Sequence, residues 1–468
     1  MATHSKIVVI GAGSASFGLT NLGAILRTPE LSGSELCLVD TNRNGLQAIT
    51  RLAERVNRDW RAGFTIKSSV NREDCLQDAD FVVLSIAIDR EKCWRMDYEI
   101  AQKYRIMHYA ENGGPGALFH TARNLAVVMP ILRDMERMCP QAWLLNFTNP
   151  VPRICIAAAR YTKIRAIGVC HQLSFGYFML GTVLGKDLGI EVPDNMLFRW
   201  EPIFRGENAW ARITREAEQK TDIVAAGLNH FTWMLSIRDK RTGEDLYPLF
   251  TKRLQSHSTD FEPLSRRMHA IFRLFPVPGD CHLCEYLPYT HNMDRDTWRK
   301  YDIQMYPFDL ASAGRDSGWA SIYEMAEGSK PIDSLLEAHT ERAELVMAAM
   351  AANKHWYEPA LNIPNQGYIT NLPPEAIVEV PATVSGHGVN GIGVGSLPEP
   401  IAELCRREIS VAELAVEAGV RGDRQLALQS LALDCMIDDP QAASCLLDEF
   451  LEAQAEYLPQ FHPHKERH

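Results

Sequence analysis

The sequence predicts an α/β fold built on a doubly wound, parallel β-sheet. Through about residue 190, short apolar runs alternate with stretches of helical periodicity, which is typical of strands covered by helices on both faces of a sheet. Hydrophobic residues make up 46% of the 468 residues and charged residues 23%, so the chain can bury a large core. A chain this long predicts two or three domains, or one large α/β body with a closely packed second lobe.

The elements of this fold follow from where the apolar runs fall. After Gly185 the pattern changes: residues 196–240 mix aromatic and charged residues in short alternating runs, which predicts antiparallel strands or loops. We therefore predict a first domain over residues 1–190 and a second α/β domain over residues 191–468 that closes over the active site. The predicted strands of the first domain are Lys6–Gly11, Glu35–Asp40, Phe81–Ile86, Trp143–Phe147 and Ala166–Cys170, and the predicted helices include Gly45–Asn57, Ala122–Met138 and residues 260–275, 317–355 and 401–455.

Charge and cysteine content restrict the classes of partner. The net charge is −11 and no run of Lys and Arg is present, which argues against nucleic acid or an anionic membrane and favours a small ligand. The first apolar run starts at Lys6, which leaves no room for the regions of a signal peptide, so we expect none. The sequence contains no span of some 20 apolar residues, so we also expect no transmembrane helix. The eleven scattered cysteines are typical of reduced thiols, which predicts a cytoplasmic protein.

A glycine-rich loop follows the first predicted strand. It contains Gly11, Gly13, Ser14 and Phe17 and opens a predicted helix. Glycines at such a turn let the backbone approach a pyrophosphate, and the helix N-terminus offers N–H donors to it. Asp40 ends the second strand, where an acidic residue accepts a hydrogen bond from the ribose 2′-hydroxyl and favours NAD over NADP. The loop therefore predicts a Rossmann-type NAD site; the alternative is a glycine turn in a fold that binds something else.

Six further segments occur in a recognisable order behind this loop. Together they resemble the family 4 glycoside hydrolases, which are NAD- and divalent-metal-dependent glycosidases. The resemblance runs from about residue 6 to beyond residue 373. Each motif alone is modest evidence for the family, but six motifs in this order are specific to it. The segments are Glu111–Gly116, Asn146–Val151, Gly168–His171, Gly227–Trp233, Gly279–Glu285 and Asn365–Pro373.

The resemblance implies a metal site and a redox-assisted reaction. Cys170 and His230 match the family residues that hold a Mn²⁺-type ion, and two protein ligands leave coordination sites for two substrate oxygens. Without the resemblance, a buried thiol and a core histidine would be the simpler interpretation of both residues. The implied reaction oxidises C3 of the sugar, removes the proton from C2 and eliminates the leaving group from C1.

This reaction needs an acid near the leaving oxygen and a base near C2. Asp280 and His282 are rival candidates for the base, and the resemblance favours Asp280. His171 is a candidate proton donor or substrate contact, and Glu111 is an acidic residue that could assist proton transfer. In the family, a Cys-His pair such as Cys170-His171 is typical of α-glycosidases that act on unphosphorylated sugars.

The predicted substrate is therefore a small carbohydrate, namely an α-galactoside, α-glucoside or uronide. By resemblance, Asn149 is expected to bind its C2 and C3 hydroxyls, and Asn365 to reach it from the second domain. The family also implies a homodimer or homotetramer. Two alternatives remain: an NAD-dependent dehydrogenase of a sugar or hydroxy acid, and a catalytically silent protein that senses NAD or a sugar.

Overall fold

One β-sheet runs through the molecule, and its two halves differ in strand direction. A computed structural model describes residues 4–108, 112–204, 209–336 and 340–462. Within these residues the strand order is β3-β2-β1-β4-β5-β6-β10-β11-β7-β8-β9, with β12 paired to β11. The strands are β1 (Lys6–Ile10), β2 (Glu35–Val39), β3 (Thr65–Ser69), β4 (Phe81–Leu84), β5 (Trp143–Asn146), β6 (Arg165–Gly168), β7 (Thr221–Leu228), β8 (Phe231–Asp239), β9 (Phe275–Pro276), β10 (Trp356–Pro364), β11 (Ile377–Ser385) and β12 (Gly388–Gly391).

The first six strands form the parallel half, as the sequence predicts. Neighbouring strands from β3 to β6 pair in parallel, with registers such as Ile7 opposite Leu36 and Phe81. Four of the five residues of β1 and of β2 are buried, which explains why these strands are almost wholly apolar. The edge strand β3 was not predicted, because its sequence Thr-Ile-Lys-Ser-Ser is polar and mostly exposed.

Helices cover both faces of the sheet. Helix α5 begins at Gly114 rather than at the predicted Ala122, since Pro115 is well placed in a first helical turn. No helix in the described residues is both long and apolar enough to cross a bilayer. The helices are α1 (Ala15–Arg27), α2 (Arg43–Asp59), α3 (Glu73–Leu76), α4 (Arg90–Lys103), α5 (Gly114–Met138), α6 (Val151–Tyr161), α7 (Leu173–Leu188), α8 (Trp200–Phe204), α9 (Ala209–Lys220), α10 (Tyr247–Ser256), α11 (Pro263–Phe272), α12 (Asp280–Leu283), α13 (Thr297–Lys300), α14 (Phe308–Glu327), α15 (Ala343–Ala351), α16 (Glu399–Arg421), α17 (Arg424–Leu433) and α18 (Pro440–Ala453).

Within residues 196–240, the predicted antiparallel strands are present only from residue 221 onward. The antiparallel hairpin β7–β8 is present, but helices α8 and α9 precede it where strands or loops were expected. Helix α9 buries Ile213, Thr214 and Ala217, so its apolar side is narrow and its remaining positions are charged or partly exposed. In a short window this composition resembles the apolar–polar alternation of a strand, so the sequence pattern does not indicate the helix.

Single residue pairs join neighbouring strands at two places: where the two halves of the sheet meet, and within the antiparallel half. Strand β6 joins the antiparallel strand β10 at Gly168 opposite Asn362, and β11 joins β7 at Glu379 opposite Gly227. A Cβ on Gly168 would lie 2.4 Å from a methyl group of Val151, so only glycine fits at the first of these pairs. We call this junction of β6, β10, β11 and β7 the seam; the sheet continues through it across the predicted boundary between residues 190 and 191.

Candidate active site

The loop after β1 has the geometry expected of a dinucleotide-binding turn. Gly11 has φ of +93°, and a Cβ there would lie 2.0 Å from the backbone oxygen of Ser85. A Cβ on Gly13 would lie 2.8 Å from the carboxylate carbon of Asp40. Both positions therefore require glycine, which lets the loop pack closely against Ser85 and Asp40 just before the first turn of α1.

Asp40 and Ser14 hold this loop in place. One carboxylate oxygen of Asp40 accepts a hydrogen bond from the backbone N–H of Gly13 at 2.8 Å, and the other accepts one from Asn42 at 2.8 Å. Ser14 caps helix α1, because its hydroxyl accepts from the N–H of Phe17 at 3.1 Å. Phe17 is only 1% exposed, so its side chain packs in the core, and a contact with the cofactor would have to come from its backbone.

Cys170 and His230 meet at the seam. Cys170 follows the end of β6, and His230 lies in the turn between β7 and β8. The Sγ of Cys170 is 3.1 Å from Nε2 of His230. Burial lowers the pKa of His230 well below its usual range, helped by the charges of His282 and His171, so the imidazole is neutral. Burial and the charges of Glu341 and Glu379 raise the pKa of the Cys170 thiol.

The buried carboxylate of Glu379 forms hydrogen bonds with both segments that carry Cys170 and His230. Glu379 on β11 is 2% exposed and accepts hydrogen bonds from the amides of Gln172 at 2.7 Å, Asn229 at 2.8 Å and Asn362 at 3.0 Å. Gln172 follows Cys170 by two residues, and Asn229 precedes His230. Burial raises the pKa of Glu379 to about 7 although three amides donate to it. Glu379 thus links β11 to both ends of the candidate metal site.

His282 lies on the other side of His230. The centroids of the two rings are 4.7 Å apart, and the side chain of His282 is 14% exposed. Its Nδ1 is 3.2 Å from Oε1 of Glu285. One potential ligand atom from each of His230, His282 and Glu285 lies within 4.8 Å of the others. The structure therefore brings His282 to the site that Cys170 and His230 define.

Asp280 is close to His282 in sequence, but its carboxylate faces the start of α11. Its carboxylate accepts hydrogen bonds from the N–H groups of Leu264 and Ser265, each at 2.7 Å, and from the hydroxyl of Ser265 at 2.6 Å. These donors belong to the first turn of α11, so Asp280 satisfies the N-terminus of that helix. Burial raises the pKa of Asp280 to about 6, and burial with the charge of Asp280 raises that of Glu262.

His171 points toward a large cavity. Its Nδ1 lies 2.6 Å from a carboxylate oxygen of Glu341, and its side chain is 45% exposed. Cys170 and His171 line a cavity of about 750 Å³, whose walls also include the charged side chains of Arg215 and Arg342. This volume lies within the range of small-molecule sites.

The structure places the two predicted substrate-binding asparagines, Asn149 and Asn365, in different surroundings. Asn149 lies just beyond the end of β5, and its backbone oxygen accepts a hydrogen bond from Asn124 at 2.6 Å. Asn365 is fully buried, and its amide donates to the backbone oxygens of Ile369, Leu372 and Pro373. Asn365 therefore holds a turn together, which corrects its predicted contact with substrate. Glu111 lies outside the described residues.

Three residues at the site were not singled out from the sequence. Glu285 accepts hydrogen bonds from the backbone N–H groups of Asn112 and Gly113, at 2.7 and 2.8 Å, and the amide nitrogen of Asn112 lies 2.7 Å from Nδ1 of His230. Glu379 braces the seam, as described above. The spacing of His282 and Glu285, one helical turn apart, could have indicated Glu285, whereas no local signal identifies Asn112 or Glu379.

Comparison with known proteins assigns the chain to a family. Residues 6–180 match the model of the family 4 glycosyl hydrolases, and residues 225–437 match the model of the C-terminal domain of the same family. The chain therefore belongs to family 4 of the glycosyl hydrolases, and it is an enzyme of the glycoside hydrolase class. This confirms the resemblance inferred from the six motifs.

Individual relatives match almost the whole chain. An alpha-glucosidase of Erwinia rhapontici is 29% identical over 98% of this chain and 99% of its own. An alpha-galactosidase of Bacillus subtilis (strain 168) is 28% identical over 97% of this chain and 99% of its own. The fold is similar to that of a 6-phospho-alpha-glucosidase from gut microorganisms, solved in complex with NAD and Mn²⁺, with TM-score 0.77, 20% identity and coverage of 98% and 99%.

Proposed function

We propose that this chain hydrolyses an α-linked, unphosphorylated glycoside, namely an α-galactoside, α-glucoside or uronide. The reaction would transfer the C3 hydride to NAD⁺, remove the C2 proton and eliminate the leaving group from C1. It would close with addition of water at C1 and return of the proton to C2 and the hydride to C3, with NAD and a divalent metal such as Mn²⁺ as cofactors. The observation that carries the proposal is the meeting of Cys170, His230 and His282 beside the end of the parallel sheet. The two relatives named alpha-glucosidase and alpha-galactosidase support the α linkage, and the Cys170-His171 pair is the feature that favours an unphosphorylated sugar.

The residues of the first loop fit NAD. Without a Cβ, Gly11 and Gly13 let the loop pack directly against Ser85 and Asp40, and the start of α1 behind it would present its first N–H groups to a pyrophosphate. Asp40 would accept hydrogen bonds from the ribose hydroxyls and repel a 2′-phosphate, which favours NAD over NADP. Ser14 holds the first turn of the helix in the conformation that this contact requires.

The residues at the seam fit a divalent metal. A thiol and a neutral imidazole whose donor atoms lie 3.1 Å apart can share one ion, and a bound cation would favour the thiolate of Cys170. When bound, NAD⁺ supplies a hydride acceptor for C3, and the ion supplies positive charge beside the C2 and C3 oxygens. Asn149 would orient the same two hydroxyls from the end of β5.

The proton transfers fall to the histidines. We propose His282 rather than Asp280 as the C2 base, because both oxygens of Asp280 already accept hydrogen bonds from the start of α11. His171 would hold the proton for the leaving oxygen at the mouth of the cavity that it lines with Cys170. Glu111 remains a candidate to assist this transfer.

The location and assembly of the enzyme are part of the proposal. All eleven cysteines are free thiols, which supports a reducing, cytoplasmic location. A homodimer or homotetramer remains the predicted assembly.

The test is cleavage of a panel of nitrophenyl α- and β-glycosides, with NAD⁺, Mn²⁺ and a thiol reductant each present or omitted. We expect cleavage of an α-glycoside that requires both NAD⁺ and the metal and leaves no net NADH. A reaction cycle that returns the hydride to the sugar consumes no cofactor, so net NADH from free sugars without cleavage would instead indicate a dehydrogenase.

A further inference from the structure

Glu285 is a buried carboxylate that contacts the proposed base. Its side chain has no exposed surface, and it lies one helical turn after His282. Its Oε2 accepts two hydrogen bonds from the backbone N–H groups of Asn112 and Gly113, directly before α5. A Cβ on Gly113 would lie 2.3 Å from the backbone oxygen of Glu285, so the two segments are in close contact.

The other oxygen of Glu285 is directed at His282. Oε1 lies 3.2 Å from Nδ1 of the imidazole. A carboxylate can only accept hydrogen bonds, so Nδ1 must carry the hydrogen in this contact. In a neutral imidazole the second nitrogen, Nε2, then has a free lone pair.

The ring of His282 is also held by its aromatic neighbours. The rings of Phe175 and Trp200 meet it edge-on, with centroids 5.6 and 6.2 Å away, and His230 lies 4.7 Å away on a tilted plane. These contacts restrict rotation of the imidazole about its side-chain bonds. The carboxylate is thus left to determine which of the two nitrogens carries the hydrogen.

We propose that Glu285 is a positioning residue that keeps His282 in the tautomer with hydrogen on Nδ1, so that Nε2 accepts the C2 proton of the sugar. The proton moves from C2 to Nε2 while the electron pair of the C–H bond remains with the sugar carbon. The same carboxylate lies against the resulting imidazolium and stabilises its charge. This inference rests on the proposed function, because it requires His282 to be the base.

The competing role for Glu285 is that of a metal ligand. Potential ligand atoms of His230, His282 and Glu285 lie within 4.8 Å of one another, which is the property of a possible metal cluster. Against this role, both oxygens of Glu285 already have partners: two backbone N–H groups on Oε2 and an imidazole nitrogen on Oε1. The two roles differ in what a glutamine at position 285 would change.

The test is the Glu285→Gln variant. The amide oxygen of glutamine can still accept from Asn112 and Gly113, but its NH₂ group would donate to Nδ1 and shift the hydrogen of His282 to Nε2. We expect kcat to fall by about 10²–10⁴-fold, since a base in the wrong tautomer loses most of its contribution. We expect KM and the affinity for Mn²⁺, measured by calorimetric titration, to change by less than about threefold, since the variant keeps Cys170 and His230.

The tautomer itself is read by ¹⁵N NMR of protein with labelled histidines, loaded with NAD⁺ and with diamagnetic Zn²⁺ in place of Mn²⁺. The signals of His282 are those that disappear in His282→Gln. Wild type should show hydrogen on Nδ1 and Glu285→Gln hydrogen on Nε2. Glu262→Gln is the matched control, because Glu262 is also a buried carboxylate but accepts its hydrogen bond from the backbone N–H of Asp280; it should leave the His282 signals unchanged.

The outcomes separate this inference from the proposed function. An inactive His282→Gln with a fully active Glu285→Gln of unchanged tautomer would overturn the role of Glu285 and leave the function standing. Loss of Mn²⁺ affinity in Glu285→Gln would also overturn it and make Glu285 a ligand. A shifted tautomer without any loss of cleavage in either variant would overturn His282 as the base and with it the role of Glu285, while the undiminished cleavage would leave the proposed function standing.

Discussion

The glycine loop and the seam are built in opposite ways. The loop, from Gly11 to Asp40, is a local structure: β1, α1 and β2 follow one another in the chain, and backbone geometry at Gly11 and Gly13 defines it. The candidate site at the seam brings together three distant segments: Cys170 after β6, His230 after β7, and His282 on α12. Glu379 holds the first two of these segments together, and Glu285 contacts the third.

This difference shows where each site can be damaged. The conformation of a local loop is determined mainly by the residues that form it, and neighbouring segments contribute little beyond packing against it. A long-range site depends equally on buried polar residues that touch neither substrate nor metal, because unpaired polar groups there would cost free energy and let the segments separate. The following experiments test whether the two regions really are separable in this way.

The largest expected effect comes from Cys170→Ser. A serine hydroxyl does not provide the thiolate that we propose for the metal, so we expect Mn²⁺ affinity and glycoside cleavage to be lost together. Loss of several kcal/mol of charge stabilisation corresponds to a decrease of about 1000-fold in kcat/KM. The affinity for NAD⁺, measured by calorimetry without metal, should stay within about twofold of wild type.

Cys445→Ser is the control for this experiment, because Cys445 is an exposed thiol on α18. It should leave metal binding, NAD⁺ binding and cleavage as they are in wild type. If Cys170→Ser weakened NAD⁺ binding as strongly as Mn²⁺ binding, the loop and the seam would be one cooperative unit, and the comparison would fail.

The same contrast explains what the sequence predicts well. The five predicted strands of the parallel half are all present, because strands buried on both faces form continuous apolar runs. Strand β3 carries no such run, and helix α9 has only a narrow buried side. Both depend on neighbours that are not visible in a local window, so sequence patterns missed them.

The candidate site follows the same division. The positions of Gly11, Gly13 and Asp40 could be inferred from the order of one strand, one loop and the next strand. The metal pair Cys170 and His230 required the family resemblance, because nothing local distinguishes them from a buried thiol and a core histidine. The choice between Asp280 and His282 required the fold, since only the position of α11 shows where the carboxylate of Asp280 is directed.

The second experiment tests whether Glu379 stabilises the seam, by measuring how the free energy of unfolding depends on pH. Burial raises the pKa of Glu379 from 4.5 to about 7. Between these values the folded protein keeps a proton that the unfolded chain has released, so the free energy of unfolding falls as pH rises from 4.5 to 7. The rise in pKa corresponds to about 3 kcal/mol.

Glu379→Gln removes this titration. Urea unfolding of the metal-free protein at pH 5 and pH 7.5 should show a decrease in stability that is smaller in the variant than in wild type, by about 1–3 kcal/mol. Glu375→Gln, an exposed residue just before β11, should behave as wild type. Equal decreases in all three proteins would mean that Glu379 does not carry a perturbed pKa and that other groups determine the pH dependence.

The smallest expected effect concerns the loop and its preference for NAD. Asp40→Ala removes the carboxylate that accepts from Gly13 and Asn42 and that we expect to bind the ribose hydroxyls. Loss of one charge-assisted hydrogen bond of about 1.5 kcal/mol would weaken NAD⁺ binding about tenfold, while NADP⁺ binding should improve because the repulsion of its phosphate is removed. The control is Glu54→Ala, which removes an exposed negative charge from α2 without a contact to the loop. If Glu54→Ala changed the ratio of the two dissociation constants as much as Asp40→Ala, overall charge would determine the preference; a change confined to Asp40→Ala would assign it to a single contact, as a locally built site requires.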